Sequence, residues 1–359
     1  MDDKKQLKIA VYCITLNEEK FIKRWYESAK DADELVIADT GSTDKTVEIA
    51  KKLGIKVYDI SVKPWRFDIA RNASLSLISK DIDYCIALDA DEVLVEGWRE
   101  HIDSMDKSVN RPRYKYTWSW NADGSEGLVY GGDKIHSRFG YRWKHPVHEV
   151  LVGEPNSPEI YGWIGLEIHH FPDATKSRGQ YGPMLELAAM EDPDDDRVAF
   201  YYGRELVYTG MLDKAYEQLK HHLALPTANW KPERSASKRL IAKCKPEEAE
   251  YWLLGAAAEA PDRREAWVDL AEMYYEKSMW IECYSSAMRA LSIVEKPLEY
   301  ICDAEAWGHK PHDLAAISSY KLGMKECILH GHNALTISPN DERLQKNMIF
   351  YNQLNQEEA

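Results

Sequence analysis

Three carboxylates follow a short apolar run, Tyr84–Leu88, within four residues. Asp89 and Asp91 stand two residues apart, so both can face one hard cation at the end of a buried strand. Mg²⁺ or Mn²⁺ held in this way also binds phosphate oxygens and can neutralise a diphosphate leaving group. Asp-x-Asp pairs are common on solvated surfaces, but a buried strand seldom runs into several acids without a use for them. The pair therefore predicts a divalent-metal site with Mn²⁺ or Mg²⁺ as its cofactor.

A second acidic turn follows the apolar run Glu34–Ala38 and reads Asp-Thr-Gly-Ser-Thr-Asp. The carboxylate of Asp39, which opens this turn, can accept a hydrogen bond from a base N–H or a ribose hydroxyl. It can equally be satisfied inside its own turn. The turn is not a phosphate loop, because neither GxxxxGK nor GxGxxG is present.

Strand and helix patterns alternate over the first 110 residues, including a helix pattern from Asn17 to Lys30. Strand–helix–strand at this spacing predicts a parallel sheet with crossover helices. Ligands of such sheets bind at the carboxyl ends of the strands. The turn clusters at 15–18, 39–44 and 89–92 all lie at such ends. The sequence therefore predicts an α/β domain with one cleft where these turns meet.

Residues 8–98 resemble the nucleotide-sugar-binding half of a family 2 glycosyltransferase of the GT-A fold, which is Rossmann-like. Four segments in the right order carry the resemblance: Thr15-Leu-Asn-Glu-Glu19, Asp39-Thr-Gly-Ser-Thr-Asp44, Asp68-Ile-Ala-Arg-Asn72 and Leu88-Asp-Ala-Asp-Glu92. The resemblance implies that Thr15, Asn17 and Glu18 line the nucleoside pocket. It also implies that Asp39 binds uracil or ribose.

The same resemblance implies a diphosphate and metal corner. Asp68 and Arg71 would lie near the base and the diphosphate, where Arg71 offers a forked donor to phosphate oxygens. Asp89 would contact the donor and the metal, and Asp91 would be the more direct metal ligand. The donor expected from the resemblance is a nucleotide sugar, with UDP as its nucleotide.

An inverting transfer also needs a carboxylate that deprotonates the acceptor. Glu149, in Lys-His-Pro-Val-His-Glu, is our choice. Its alternative role is a salt bridge to nearby Arg142 or Lys144. The rival carboxylates are Asp133, Glu167 and Asp173.

Four histidines cluster in the same quarter of the sequence, at positions 145, 148, 169 and 170. Related GT-A enzymes often complete the metal shell with a late histidine. His148 or His170 could do this through a neutral imidazole, and the sequence does not choose between them. A single histidine is also often structural.

From about Met184 the chain reads as helices, and three short motifs recur with a shift of 44 residues, including Asp269-Leu-Ala and Asp313-Leu-Ala. A fixed shift across paired helices indicates a helical repeat array, here with an insertion around Glu295–His312. The array resembles the tetratricopeptide-like extensions of a bacterial and phage subgroup of these enzymes. We therefore predict a GT-A domain over 1–180 and an all-α, tetratricopeptide-like domain over 181–359. The repeats could hold part of the acceptor, buttress the enzyme or form a homodimer.

The charge, the hydropathy and the cysteines of the chain bear on where the protein acts and on what it binds. A net charge of −14 disfavours DNA as acceptor without removing it from the possible acceptors, which include proteins, glycans and modified bases. No apolar stretch is long enough for a membrane helix, and the N-terminus lacks a signal-peptide pattern, so we expect no membrane insertion. The six cysteines show no metal spacing and suggest buried free thiols in the cytoplasm.

The leading hypothesis from sequence is a metal-dependent, inverting nucleotide-sugar glycosyltransferase. A nucleotidyltransferase of similar fold is one alternative, although such enzymes usually carry a Gly-rich basic loop where this chain has the acidic TLNEE. A non-catalytic protein that binds through its repeats is the other.

Overall fold

The computed structural model describes residues 6–121, 123–155, 157–173, 179 and 181–354. The chain divides into two compact units, Met1–Glu191 and Asp192–Ala359. The helix Tyr181–Glu191 thus belongs to the first unit, whereas the sequence boundary placed it in the second.

The first unit combines strands and helices. Its strands are β1 (Ile9–Thr15), β2 (Glu34–Asp39), β3 (Lys56–Asp59), β4 (Tyr84–Ala87), β5 (Glu92–Leu94), β6 (Arg111–Thr117), β7 (Val129–Gly132), β8 (Ile135–Ser137), β9 (Tyr141–Lys144), β10 (Val150–Gly153) and β11 (Tyr161–His170). Its helices are α1 (Ile22–Ala29), α2 (Thr46–Lys52), α3 (Phe67–Ser76), α4 (Trp98–Asp103) and α5 (Tyr181–Glu191).

The main sheet has the order β3-β2-β1-β4-β8. The pairs β1–β2, β2–β3 and β1–β4 are parallel, which confirms the predicted α/β sheet, and β8 adds an antiparallel edge to β4. Thr15 pairs with Asp39, so the strands β1 and β2 end side by side. The strand order reverses between β1 and β4, which is where ligands bind in open α/β sheets.

Helix α1 is fixed to the sheet by an apolar stripe. Ile22, Trp25 and Ala29 follow helical spacing and are fully buried. The indole nitrogen of Trp25 also donates a hydrogen bond to the carbonyl of Leu88 at 2.9 Å. This bond anchors the start of the Asp-x-Asp turn, and burying a side chain of this kind contributes about 3 kcal/mol.

A second sheet, with the order β5-β11-β6-β7, completes the unit. Strand β11 runs antiparallel to β5, and this register places His170 opposite Glu92. A separate hairpin of β9 and β10 presents the loop His145–Glu149. Two sequence-distant segments are thereby attached to the region around the Asp-x-Asp turn.

The second unit is helical, as predicted. Its helices are α6 (Asp196–Tyr208), α7 (Leu212–Ala224), α8 (Lys231–Cys244), α9 (Ala249–Glu259), α10 (Glu265–Glu276), α11 (Trp280–Leu291), α12 (Ala304–Trp307), α13 (Lys310–Lys321), α14 (Glu326–Ile337) and α15 (Glu342–Gln353). Helices α6 and α7, α8 and α9, α10 and α11, and α13 and α14 pack as successive pairs.

The aspartates of the 44-residue repeat occupy equivalent positions. Asp269 on α10 pairs with Arg239 on α8, with oxygen–nitrogen distances of 2.6 and 3.1 Å. Asp313 on α13 pairs with Arg343 on α15 at 2.7 and 3.1 Å. Asp269 thus links the first helix of its pair to the preceding pair, and Asp313 links the first helix of its pair to α15, the helix that follows that pair. The predicted insertion begins earlier than expected, as an irregular segment over residues 292–303.

No helix in the described ranges combines the length and apolar character that crossing a bilayer requires.

Candidate active site

Asn17 joins the loops that follow β1 and β2. Its side-chain oxygen accepts hydrogen bonds from the backbone nitrogens of Thr43 at 2.8 Å and Asp44 at 3.3 Å. Its backbone nitrogen donates to the hydroxyl of Ser42, and its φ of 58° is in the left-handed region that asparagine tolerates. Glu18 is held to the same loop, because its backbone nitrogen donates to the hydroxyl of Thr46 at 2.7 Å. The two loops therefore form one rim at the ends of adjacent strands.

Asp39 is buried and takes part in its own turn. Its two oxygens accept from the backbone nitrogens of Gly41 and Ser42, at 3.0 and 2.8 Å, and from the hydroxyl of Thr15 at 3.0 Å. Gly41 has a φ of +111°, which explains a glycine at this position. Asp39 lies at the expected strand end, but its observed contacts are those of the structural alternative.

Asp68 is also engaged within the protein. Arg66 binds both of its oxygens, at 3.1 and 2.9 Å, and also pairs with Glu191 on α5. The nitrogen of Ile69 donates to Asp68 at 2.8 Å. These contacts fix the start of α3, the helix that carries Arg71.

Arg71 is the centre of the predicted diphosphate corner. Its Nε lies 2.5 Å from Oε1 of Glu149 and its Nη2 lies 2.8 Å from Oδ1 of Asp89. The guanidinium packs over the ring of Trp143 at 4.9 Å. The third nitrogen, Nη1, is buried and has no hydrogen-bond partner among the described residues. Burial opposes the charge of Arg71, but Asp89 and Glu149 outweigh it and raise the pKa of Arg71 well above its usual value.

Asp89 lies between two cations, since its second oxygen is 3.0 Å from Nζ of Lys134. Burial alone would raise the pKa of Asp89, but Arg71 and Lys134 hold it well below the ordinary value. Asp89 is therefore ionised at neutral pH. Lys134 stands directly before β8 and was not among the residues identified from sequence. In the sequence, Lys134 is marked only by the pair of glycines shortly before it and by the apolar strand that follows it.

Glu92 directly follows Asp91, and its side chain is almost fully buried beneath the Asp-x-Asp turn. It accepts from the backbone nitrogen of Asp89 at 2.8 Å, and it also contacts Lys134 and the hydroxyl of Tyr116, both at 2.5 Å. Burial raises the pKa of Glu92, and the lysine opposes that effect.

Asp91 and His170 form a second pair at the same turn. Nε2 of His170 lies 3.4 Å from Oδ2 of Asp91. The other ring nitrogen, Nδ1, donates to the carbonyl of Trp118 at 2.9 Å, and the two rings stack at 4.4 Å. Burial opposes protonation of His170, but the contacts to Asp91 and Trp118 outweigh it and raise the pKa of the imidazole.

His148, the other proposed metal-shell residue, lies in the loop between β9 and β10. Its ring contacts that of Tyr181 edge-on at 5.6 Å. His148 and His145 both have positive φ, of 50° and 81°. Strained backbone of this kind often occurs at functional sites, and this loop carries Glu149. Of the two proposed histidines, His170 makes the contact with Asp91.

The rival carboxylates have cationic neighbours. Asp133 lies 2.9 Å from Arg111, Glu167 lies 3.3 Å from Lys115 and 3.4 Å from His169, and Asp173 lies 3.7 Å from Lys20. Glu149 is ion-paired as well, with Arg71. Glu149 thereby shares the cation Arg71 with Asp89 of the Asp-x-Asp motif.

The Asp91–His170 pair fits a divalent cation. Neighbouring ligands of an octahedral ion at about 2.1 Å stand about 3 Å apart, and the observed separation is 3.4 Å. The Trp118 carbonyl fixes the proton of neutral His170 on Nδ1, which leaves the lone pair of Nε2 facing Asp91. Nη1 of Arg71, which has no partner within the described ranges, would suit a phosphate oxygen beside such an ion.

Comparison with known proteins identifies the same part of the chain. The family model described as glycosyl transferase family 2 matches residues 10–120. A protein of Rickettsia bellii named as an uncharacterized glycosyltransferase is 40% identical over 108 residues, which cover 30% of this chain and 35% of the relative. The chain thus spans about a third of the length of the Rickettsia relatives that it matches.

A longer match includes the helices. A TPR repeat-containing protein of Synechococcus elongatus is 26% identical over 314 residues, which cover 79% of this chain and 75% of the relative. Among solved structures, glucosyl-3-phosphoglycerate synthase of Mycobacterium tuberculosis is 26% identical. The match covers 32% of this chain and 45% of the synthase, with a TM-score of 0.26. Together with the fold, the sequence matches show a family 2 glycosyltransferase domain at residues 10–120 of this chain, followed by a helical unit that is similar to part of a TPR repeat-containing protein.

Proposed function

We propose that this protein is a metal-dependent inverting glycosyltransferase that takes a sugar from a nucleotide diphosphate, with UDP as the nucleotide. The observation that carries the proposal is the convergence of Asp89, Asp91, Arg71 and His170 at one end of the parallel sheet. The first three lie within the family-matched residues 10–120, and His170 joins them from β11. Mn²⁺ or Mg²⁺ bound by Asp91 and His170 would neutralise charge on the diphosphate leaving group.

The reaction is a single in-line displacement. An acceptor hydroxyl or other nucleophile attacks the anomeric carbon, the bond from that carbon to the diphosphate oxygen breaks, and the diphosphate leaves with the electron pair. Arg71 would donate to that diphosphate through the nitrogen that is unpartnered among the described residues. Inversion follows because the nucleophile enters on the face opposite the departing oxygen.

Glu149 would take the proton of the acceptor. A general base of this kind contributes about 10²–10⁴-fold to rate. The support is its position on the strained loop next to Arg71, which places a carboxylate close to the diphosphate corner. Asn17, Glu18 and the Thr15–Asp39 pair would shape the nucleoside end of the cleft from the joined loops.

The wider setting is also part of the proposal. The helical unit would hold part of the acceptor, which can be a protein, a glycan or, against the charge of −14, a modified DNA base. The six cysteines are free thiols, which supports a reducing cytoplasmic setting. A homodimer through the repeats remains a prediction.

The test is a screen of nucleotide sugars for Mn²⁺-dependent donor hydrolysis, run with thermal melting in the presence of each nucleotide. We expect turnover of a UDP-linked donor and stabilisation by UDP with Mn²⁺. The turnover rate of Asp91→Asn should be at least about 100-fold lower than that of wild type, and its melting temperature should be unchanged. Asp123→Asn, which alters a surface turn aspartate bonded to Ser125, is the matched control and should keep full activity. Full activity of Asp91→Asn would refute the metal assignment, and no response to any nucleotide would favour a non-catalytic binding protein.

A further inference from the structure

Lys134 is a partly buried lysine, with 21% of its side chain exposed, and lies outside the four family motifs. Its backbone carbonyl accepts from the nitrogen of Ala87, which ties it to the end of β4 beside the Asp-x-Asp turn. Its ammonium contacts Asp89 at 3.0 Å and Glu92 at 2.5 Å, and lies over the ring of Tyr116 at 5.5 Å. Asp89, Glu92 and the ring of Tyr116 therefore hold the ammonium of Lys134 in place beside the first aspartate of the motif.

The two aspartates of the motif have opposite surroundings. Both oxygens of Asp89 are engaged by cations, Oδ1 by Arg71 at 2.8 Å and Oδ2 by Lys134 at 3.0 Å. The side chain of Asp91 instead faces the imidazole of His170, and the guanidinium of Arg24 lies 3.5 Å from the backbone carbonyl of Asp91. A cation that approached Asp89 would have to displace a bound ammonium or guanidinium and would be repelled by both. A cation that approached Asp91 would meet a second ligand atom.

We propose that Lys134 is a positioning residue that keeps Asp89 out of the metal's coordination shell, so that Asp91 and His170 are the protein ligands. This inference rests on the proposed function, because it concerns the same metal site. It goes further by predicting how the metal and the nucleotide depend on each other.

A site with one available carboxylate and one imidazole binds a hard divalent cation weakly by itself. The oxygens of the nucleotide diphosphate would supply the missing negative charge. The metal should therefore bind weakly to the free protein and much more tightly with UDP, and by linkage Mn²⁺ should strengthen UDP binding by the same factor.

The decisive variant is the charge-balanced pair Lys134→Met with Glu92→Gln. Lys134→Met alone would strand the buried carboxylate of Glu92, which is costly. The double variant removes one positive and one negative charge, so the net charge near the metal is unchanged. The amide that replaces the Glu92 carboxylate can still accept from the backbone nitrogen of Asp89, and it can donate to the hydroxyl of Tyr116. The double variant then differs from wild type mainly in that one oxygen of Asp89 no longer contacts a cation.

The measurement is Mn²⁺ affinity by electron paramagnetic resonance, with and without UDP, on the full chain. We expect the double variant to bind Mn²⁺ without nucleotide at least about tenfold more tightly than wild type. The dependence on UDP should shrink accordingly. Glu92→Gln alone keeps the lysine on Asp89 and should gain nothing. A disturbance of the fold would weaken binding rather than strengthen it, so a gain cannot arise from damage.

Two negative outcomes can be told apart. If wild type binds Mn²⁺ with UDP but the double variant gains no affinity without it, the role of Lys134 is wrong and the proposed function stands. If wild type binds no Mn²⁺ even with UDP, the metal site itself is wrong, and both the proposed function and this inference fail.

Discussion

The Nε of Arg71 lies 2.5 Å from Oε1 of Glu149, so the proposed phosphate ligand and the proposed base are ion-paired. This contact links α3, a helix that packs against the parallel sheet, to the loop between β9 and β10. It means that Glu149 has two candidate roles, one on the acceptor and one on Arg71. Substitutions at the two residues can separate these roles.

Glu149→Gln should reduce donor turnover by about 10²–10⁴-fold while changing the UDP affinity only slightly. The amide oxygen of glutamine can still accept from Arg71, but the amide cannot take a proton. The measurements are the turnover rate and the dissociation constant of UDP with Mn²⁺ by calorimetry. Asp133→Asn, at a rival carboxylate paired with Arg111, is the control and should leave turnover unchanged. An equal loss of UDP affinity and turnover would make Glu149 a positioning residue for Arg71.

Arg71→Lys should weaken UDP binding by about tenfold or more, because a single ammonium replaces a planar fork that spans Asp89, Glu149 and a phosphate. The positive charge is kept, so the two carboxylates are not stranded. Calorimetry with UDP and Mn²⁺ tests this. Arg113→Lys, at a half-exposed arginine paired with Asp133, serves as the matched control. Unchanged UDP affinity in Arg71→Lys would remove Arg71 from the diphosphate site.

The sequence identified the parts of the site that local patterns control. Alternating strands and helices fix a parallel sheet, and Thr15 and Asp39 meet because the ends of β1 and β2 pair in register. The pattern failed at the start of α1, which was expected at Asn17 but begins at Ile22. Asn17 instead takes a left-handed backbone conformation and bonds to the neighbouring loop, a contact that no helix propensity describes.

Long-range pairing accounts for the rest. Lys134 and His170 reach the Asp-x-Asp turn from β8 and β11, whose antiparallel partners depend on the whole sheet and not on nearby residues. The sequence offered His148 and His170 as equals, and the register of β11 with β5 is what brings His170 to Asp91.

His136 should make the first unit less stable as the pH falls. It is fully buried, with Nε2 at 3.1 Å from the hydroxyl of Tyr12 and Nδ1 at 2.8 Å from the carbonyl of Ser137. Burial lowers the pKa of His136 to about 4, Arg111 and Arg138 act in the same direction, and the Ser137 carbonyl opposes them. Because the folded pKa lies below the unfolded value near 6.5, the unfolded state binds more protons between these two pH values. Stability is therefore full above that range and lost as the pH falls through it, by up to about 3 kcal/mol.

Urea unfolding of wild type and His136→Gln at several pH values between 7.5 and 4.5 measures this contribution. Carboxylates titrate in both proteins, so the difference between the two slopes isolates His136. We expect the variant to show the shallower decline. Parallel slopes would mean that His136 does not contribute.

Tyr300 should hold the irregular segment 292–303 against helices α6 and α8 of the second unit. Its hydroxyl donates to Glu233 on α8 at 2.8 Å, and its ring stacks on Tyr201 of α6 at 6.4 Å and meets Trp230 at 5.1 Å. Tyr300→Ala removes the ring and leaves a buried carboxylate with one donor fewer, so we expect a loss of about 3 kcal/mol in unfolding free energy. Hydrogen exchange should show faster exchange across 292–303 in this variant. Tyr251→Ala, at a tyrosine that is 73% exposed on α9, is the control and should change stability by less than about 0.5 kcal/mol. Equal effects of the two substitutions would show that Tyr300 does not hold the segment.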